Sequence, residues 1–200
     1  MLSFTAWGCR VRLGFSFFIL LAFSNLFAGI QNGAYLLLSV FLHEFCHLLA
    51  MLLCGRRPQE AAVSALGIRI QLGSGEGLTY SQSITVSLAG PMSNLLLALA
   101  AWLACGVSSP LFLMNLTLGA MHLLPIEPLD GGLALKSLLS CFLEPEKAGK
   151  ISFSLSILFL FPLAVLGFLI LLQTRYNFSL LALSLYLMLY LVLKKGTLSF

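Results

Sequence analysis

At 200 residues and 21.7 kDa the chain has room for one domain or two small ones, yet 60% of its residues are apolar and only 9% are charged, against about 25% charge in a soluble domain. A mean hydropathy of +1.01 leaves too little polar side chain to cover a soluble surface, which excludes a disordered chain, a secreted disulfide scaffold and a nucleic-acid module and makes a lipid bilayer the expected surroundings. The net charge of +4 is therefore read through its placement along the chain, not as the sign of an acidic partner.

A membrane-spanning helix needs about 20 consecutive apolar residues. Six stretches qualify or come near: Leu13 to Ile30, Ala34 to Cys54, Ile84 to Gly106, Pro110 to Leu124, Ile151 to Leu172 and Phe178 to Leu193. The first also has the form of a signal peptide, but it is long for one and no Ala-x-Ala site follows. The fourth is short and runs into Pro125, Pro128, Gly131 and Gly132, which break a helix and free backbone groups, tolerable at membrane depth only inside protein or beside water. Basic residues test this arrangement. Arg10, Arg12, Arg56, Arg57, Arg69, Lys136, Lys147, Lys150, Lys194 and Lys195, ten of the eleven, fall in alternate loops, and Arg175 alone falls on the other side. Both termini are then expected in the cytoplasm.

The longest polar interval, Gly55 to Ser83, is too short for a soluble domain, so residues 1 to 200 are expected to form a single membrane domain. Within that interval Ala65 to Leu72 alternates, with Leu66, Ile68, Ile70 and Leu72 on one face, the period of a half-buried strand. The expected fold is thus an all-α polytopic membrane protein of about six spans, with a short cytoplasmic-side hairpin or strand after the second. Cys9, Cys46, Cys54, Cys105 and Cys141 form no CxxC pair and read as small core hydrophobes.

The second stretch holds His43, Glu44 and His47 among leucine, valine, phenylalanine, alanine and methionine. Ionisable groups at that depth cost about 2.5–3.5 kcal/mol each even on a lenient scale, so they point to function. At about 100° per residue the two histidines lie about 40° apart, one turn from each other, as two imidazoles sharing a tetrahedral zinc ion must. Glu44 beside them completes HExxH, the pattern in which a glutamate serves as general base for metal-assisted peptide hydrolysis. Solvated histidines, the bland reading of HExxH, fit poorly among so many leucines, whereas a proton or ion path built from the same groups does not. Two histidines leave zinc short of a ligand. Of the acids near apolar sequence, Asp130, before Gly131 and Gly132, reaches a metal from a tight turn, while Glu127 between two prolines fits the wall of the loop. An ordinary Asp-Gly turn remains the plainer reading of that segment.

Three motifs together resemble the site-2 protease class of intramembrane zinc metalloproteases, and within it the smaller bacterial branch typified by the stage IV sporulation protease. His43-Glu44-Phe45-Cys46-His47 is similar to the family's HExxH, Ala89-Gly90-Pro91-Met92-Ser93-Asn94 to its GPxxN, and Leu123 to Gly132 to its LLPxxPLDGG. The likeness covers about residues 34 to 140, the expected catalytic core. It implies zinc ligands at His43, His47 and Asp130, a catalytic Glu44, and a substrate-contacting or oxyanion-stabilising role at His122, where the family usually has asparagine. Asn94 is implied to lie beside the active site, although helix packing explains Gly90, Pro91 and Asn94 as well. The nucleotide-binding tail of the sporulation branch is not found in these residues. What the resemblance implies is a zinc endopeptidase of the bacterial cytoplasmic membrane acting on membrane-embedded or membrane-tethered proteins, with a regulatory membrane partner and without nucleic acid. An ion- or proton-conducting protein and a catalytically inactive protease-like scaffold are the alternatives.

Overall fold

The computed structural model describes residues 31–56 and 77–193 in full and, beyond them, the backbone of the strands and helix ends named below. It divides into two compact units, Met1–Met121 and His122–Phe200.

In the first unit, strands β1 (Leu2–Ala6), β2 (Cys9–Leu13), β3 (Pro58–Ser64) and β4 (Gly67–Leu72) lie in the order β1-β2-β3-β4. The β2–β3 pair is parallel and the outer pairs are antiparallel. Helices α1 (Phe15–Leu53) and α2 (Tyr80–Cys105) follow β2 and β4, and α3 (Pro110–His122) closes the unit. The faces expected for Leu66, Ile68, Ile70 and Leu72, and the placements of Arg57 and Ala65, lie outside the described residues.

The length of α1 constrains its path. A straight helix of 39 residues holds its ends about 58 Å apart. Yet Leu13, just before α1, pairs with Val63, ten residues after it ends. Full extension of the connecting residues reaches only about 50 Å, so α1 cannot run straight from end to end. The sequence offers Gln31-Asn32-Gly33, between its first two apolar stretches, as the place where it bends.

Helix α2 starts with a capping box: Thr79 Oγ1 accepts from the Gln82 N–H (3.3 Å) and the Gln82 side chain accepts from the Thr79 N–H (3.1 Å). This satisfies two backbone donors that a helix start leaves open. Gln82 Nε2 also donates to the Cys54 carbonyl at 3.2 Å, tying the start of α2 to the end of α1. Gly106 ends α2 at φ +82°, a conformation side chains rarely adopt.

The second unit holds α4 (Asp130–Ser140), α5 (Pro145–Thr174) and α6 (Ser179–Thr197). The buried residues of α5 are Ala148, Ser152, Ser156, Leu160 and Gly167, spaced by four, four, four and seven positions, so they form one stripe of mostly small side chains. Ile126, Leu160 and Leu187 form the buried core, with Leu124, Leu129, Leu163 and Leu183 against it. At Gly167 an added Cβ would lie 2.6 Å from the Leu181 backbone nitrogen, so the α5 and α6 backbones approach directly.

Polarity is inverted relative to a soluble protein. Ser39, Asn94, Asn115, Ser152, Ser156 and Ser184 are buried, while Phe41, Leu53, Leu103, Leu158 and Phe161 are exposed. A bilayer welcomes such an apolar exterior, and helices inside it associate through small and polar residues. Among the described residues, three helices are long and apolar enough to cross: Gln31–Leu53, Tyr80–Cys105 and Pro145–Thr174. The protein is an integral membrane protein. Two expected spans come out short. Helix α3 has 13 residues, about 20 Å, because the break expected near Pro125 arrives at His122, and α6 offers the apolar stretch Ser179–Leu193.

Replacing Gly167 with isoleucine is expected to force α5 and α6 apart and to cost about 1–3 kcal/mol. A lowered Tm in detergent, measured against Gly149→Ile, where an added Cβ meets nothing within 4 Å, checks this.

Candidate functional site

In the first unit the two histidines of HExxH are buried, at 2% exposure for His43 and 8% for His47. Their Nε2 atoms lie 3.1 Å apart, and the rings meet nearly edge to face at 81°. Each Nδ1 is held from α2. His47 Nδ1 lies 2.7 Å from the Val86 carbonyl, which can only accept, so this nitrogen carries the proton. His43 Nδ1 lies 2.9 Å from Asn94 Oδ1, and Asn94 Nδ2 is turned to Asn115 Oδ1 at 3.2 Å. With both Nδ1 atoms donating, both Nε2 atoms present lone pairs. Two lone pairs facing at 3.1 Å repel unless a cation or a proton lies between them.

A divalent cation fits that arrangement. Nitrogens 2.0–2.1 Å from a tetrahedral zinc sit about 3.3 Å apart, close to the separation found. Histidine ligands of metals commonly give their second N–H to a carbonyl or carboxylate, as both rings do here. The space is kept by Gly90, where an added Cβ would collide with His47 Nε2 and lie 2.8 Å from His43 Nε2. The absence of a side chain there lets α2 pass directly over the imidazole pair.

Glu44 is half-buried and follows His43 directly on α1. Cys46 is a free thiol, half-buried on the same turn. Asn94 is fully buried, its oxygen facing His43 and its nitrogen facing Asn115.

In the second unit Asp130 opens α4 and His122 ends α3, with His122 Nδ1 donating to Asp130 Oδ2 at 2.7 Å. The positive end of the α4 dipole favours a carboxylate at that position. Gly131 and Gly132 do not form the tight turn the Asp-Gly-Gly sequence suggests, because both are already helical. They are glycines because the incoming loop crosses them. An added Cβ at Gly131 would collide with the Leu123 carbonyl, and one at Gly132 would lie 2.5 Å from the Glu127 nitrogen.

Glu127, expected to line the loop, is buried in the second unit. Its Oε1 accepts from Ser152 Oγ at 3.1 Å and lies 3.5 Å from Lys136 Nζ, while its backbone N–H donates to Ser156 Oγ at 3.0 Å. A buried carboxylate needs such partners, and these fasten the loop before Asp130 to α4 and α5. Sequence reading missed Ser152, Ser156, Ser39 and Asn115. Their signal was present as polar residues inside apolar helices, but serine and asparagine there are common enough to pass as packing.

Replacement of Ser156 by alanine removes the acceptor of the Glu127 N–H and is expected to cost about 1–3 kcal/mol. A lowered Tm, with increased protease cutting within residues 123–130, is the check.

Comparison with known proteins follows the same lines. No protein-family model matches the chain. It is 30% identical over 131 residues to the stage IV sporulation protein FB of Bacillus subtilis, a stretch covering 62% of this chain and 46% of that one, so the match spans about half the length of that relative. A solved structure, the site-2 protease from Methanocaldococcus jannaschii, superposes with a TM-score of 0.65 at 22% identity, covering 93% of this chain and 92% of that one.

Proposed function

For a chain with the site-2 protease fold, we infer the activity of an intramembrane zinc metalloendopeptidase that cuts membrane-embedded or membrane-tethered proteins. The observation that carries this is the pair of imidazole Nε2 atoms 3.1 Å apart inside an HExxH helix, each ring held at Nδ1 by an oxygen of α2. His43, His47 and Asp130 are the proposed zinc ligands. The order of the motifs, the tautomers of the two rings and the bracing of Asp130 by His122 support that set. Zinc there supplies Lewis acidity, polarising a peptide carbonyl and acidifying water.

The chain's own groups do the rest. Glu44, beside His43, accepts the proton of the attacking water and delivers it to the leaving amine. His122 holds one oxygen of Asp130 and so fixes the angle at which the carboxylate is offered. Placed at the end of α3, its other ring nitrogen is also proposed to contact substrate, as an acceptor once Nδ1–H is given to Asp130. A helical substrate hides its carbonyls in its own hydrogen bonds, so it must be held extended. Strand β4 lies at the edge of the sheet and offers backbone groups for an added strand. The proposed setting is the bacterial cytoplasmic membrane with both termini cytoplasmic, on the placement of basic residues and the Bacillus subtilis relative. A membrane protein is the substrate, and a second membrane protein is the expected regulator.

Elemental analysis of purified wild type, His43→Ala, Asp130→Ala and Glu44→Gln tests the ligand set. Wild type and Glu44→Gln are expected to carry about one zinc per chain and the other two to lose it; equal zinc in all four would reject the assignment. Against a panel of single-span membrane proteins, Glu44→Gln is expected to slow cleavage by about 10²-fold or more. No zinc in wild type, with ion flux into proteoliposomes that changes in Glu44→Gln, would favour a conducting path. Zinc without any cleavage would favour a scaffold. Ile68→Pro in β4 is expected to slow cleavage while leaving zinc content unchanged, and an unaltered rate would remove β4 from substrate holding.

A further inference from the structure

The first unit contains a chain of buried side-chain hydrogen bonds that starts at His43 and ends on two backbone carbonyls. His43 Nδ1 donates to Asn94 Oδ1 (2.9 Å), and Asn94 Nδ2 donates to Asn115 Oδ1 (3.2 Å). Asn115 Nδ2 donates to the Leu111 carbonyl (2.9 Å) and to Ser39 Oγ (2.9 Å), and Ser39 Oγ donates to the Tyr35 carbonyl (2.8 Å). Ser39 is 1% exposed, and Asn94 and Asn115 are 0% exposed. Every proton in the chain points away from the histidine.

That direction is forced from the far end. The Leu111 and Tyr35 carbonyls can only accept. Asn115 must therefore turn its NH₂ toward Leu111, which leaves its oxygen toward Asn94. Asn94 must answer with its own NH₂, which leaves its oxygen toward His43. An amide alone beside His43 could rotate by half a turn and offer N–H instead. The ring would then need Nδ1 as acceptor and would carry its proton on Nε2, where a metal ligand needs a lone pair. Rotation of Asn94 is blocked because it would set its oxygen against the Asn115 oxygen unless Asn115 rotated too, and Asn115 would then face Leu111 with oxygen against oxygen.

We propose that Asn115 on α3 and Ser39, one turn before the HExxH motif on α1, are positioning residues that fix the tautomer of His43 through Asn94, holding its Nε2 as a lone pair before any metal arrives. The tautomer itself does not depend on the metalloprotease reading; its consequence for zinc affinity rests on that reading.

Full-length protein labelled with ¹⁵N-histidine, stripped of metal in detergent micelles, reports the tautomer directly through two-bond nitrogen–proton correlations, with His43 assigned from His43→Gln. Wild type is expected to show His43 in the Nδ1–H form alone. Asn115→Leu, or Asn115→Ala should the first not fold, is expected to give a mixture of forms and about tenfold weaker zinc binding by chelator competition. A single Nδ1–H form retained in both Asn115→Leu and Asn115→Ala would overturn the proposal. Zinc binding absent from wild type, alongside the expected tautomers in every variant, would sink the metalloprotease reading and leave the positioning role standing.

Discussion

Two imidazoles one helical turn apart, each giving its Nδ1 proton to a fixed oxygen on α2, set the conditions for the first unit. The contact is unfavourable for the bare rings, since their Nε2 lone pairs face each other at 3.1 Å. It is maintained because α1 and α2 are held together by hydrogen bonds between buried groups. The Val86 carbonyl takes one proton and Asn94 takes the other, while Gly90 removes the side chain that would push the rings away. An imidazole pair held in this way could take a cation, and sites that bind tightly are commonly held ready by their surroundings.

The second unit answers with different means. Asp130 stands at a helix start, where the backbone favours its charge, and His122 clamps one oxygen. The loop before it is fastened from below by a buried glutamate with serine and lysine partners. Neither feature would be stable on a loose turn. The glycines after Asp130 matter because the loop passes within contact distance of the helix they begin, so their smallness and not their flexibility is in use.

Much of this was legible in the sequence. His43, Glu44 and His47 announced themselves because charge is costly in an apolar run, and their spacing fixed a common face. The short stretch after Pro110 was legible for the same reason that it fails as a span, since prolines and glycines interrupt it. What could not be read was direction. Asn94 was visible as a polar residue near the site, but whether its amide faced a substrate or a histidine depended on Asn115, 21 positions further on, and on a carbonyl of α3. Ser39 and Ser156 were equally hidden, because a hydroxyl in a membrane helix satisfies itself on its own backbone as readily as it reaches a neighbour. The two spans expected over Leu13 to Cys54 fall within one helix, α1, that cannot run straight. That constraint emerges in the fold only by combining helix length with strand pairing.

The direct approach of α5 to α6 at Gly167 has one further bearing. The buried stripe of α5 consists of alanine, serine, leucine and glycine, and the carboxylate that meets it, Glu127 at Ser152, comes from the loop before α4 and not from α6. The charged side chains of that helix, Glu146, Lys147 and Lys150, sit in its first turns and pair within the surface, Lys147 with Glu144 and Lys150 with Glu146. Such exposed pairs contribute little and are screened by electrolyte. The grip between these two helices is therefore one of shape, indifferent to ionic strength and responsive instead to the thickness and fluidity of the surrounding lipid.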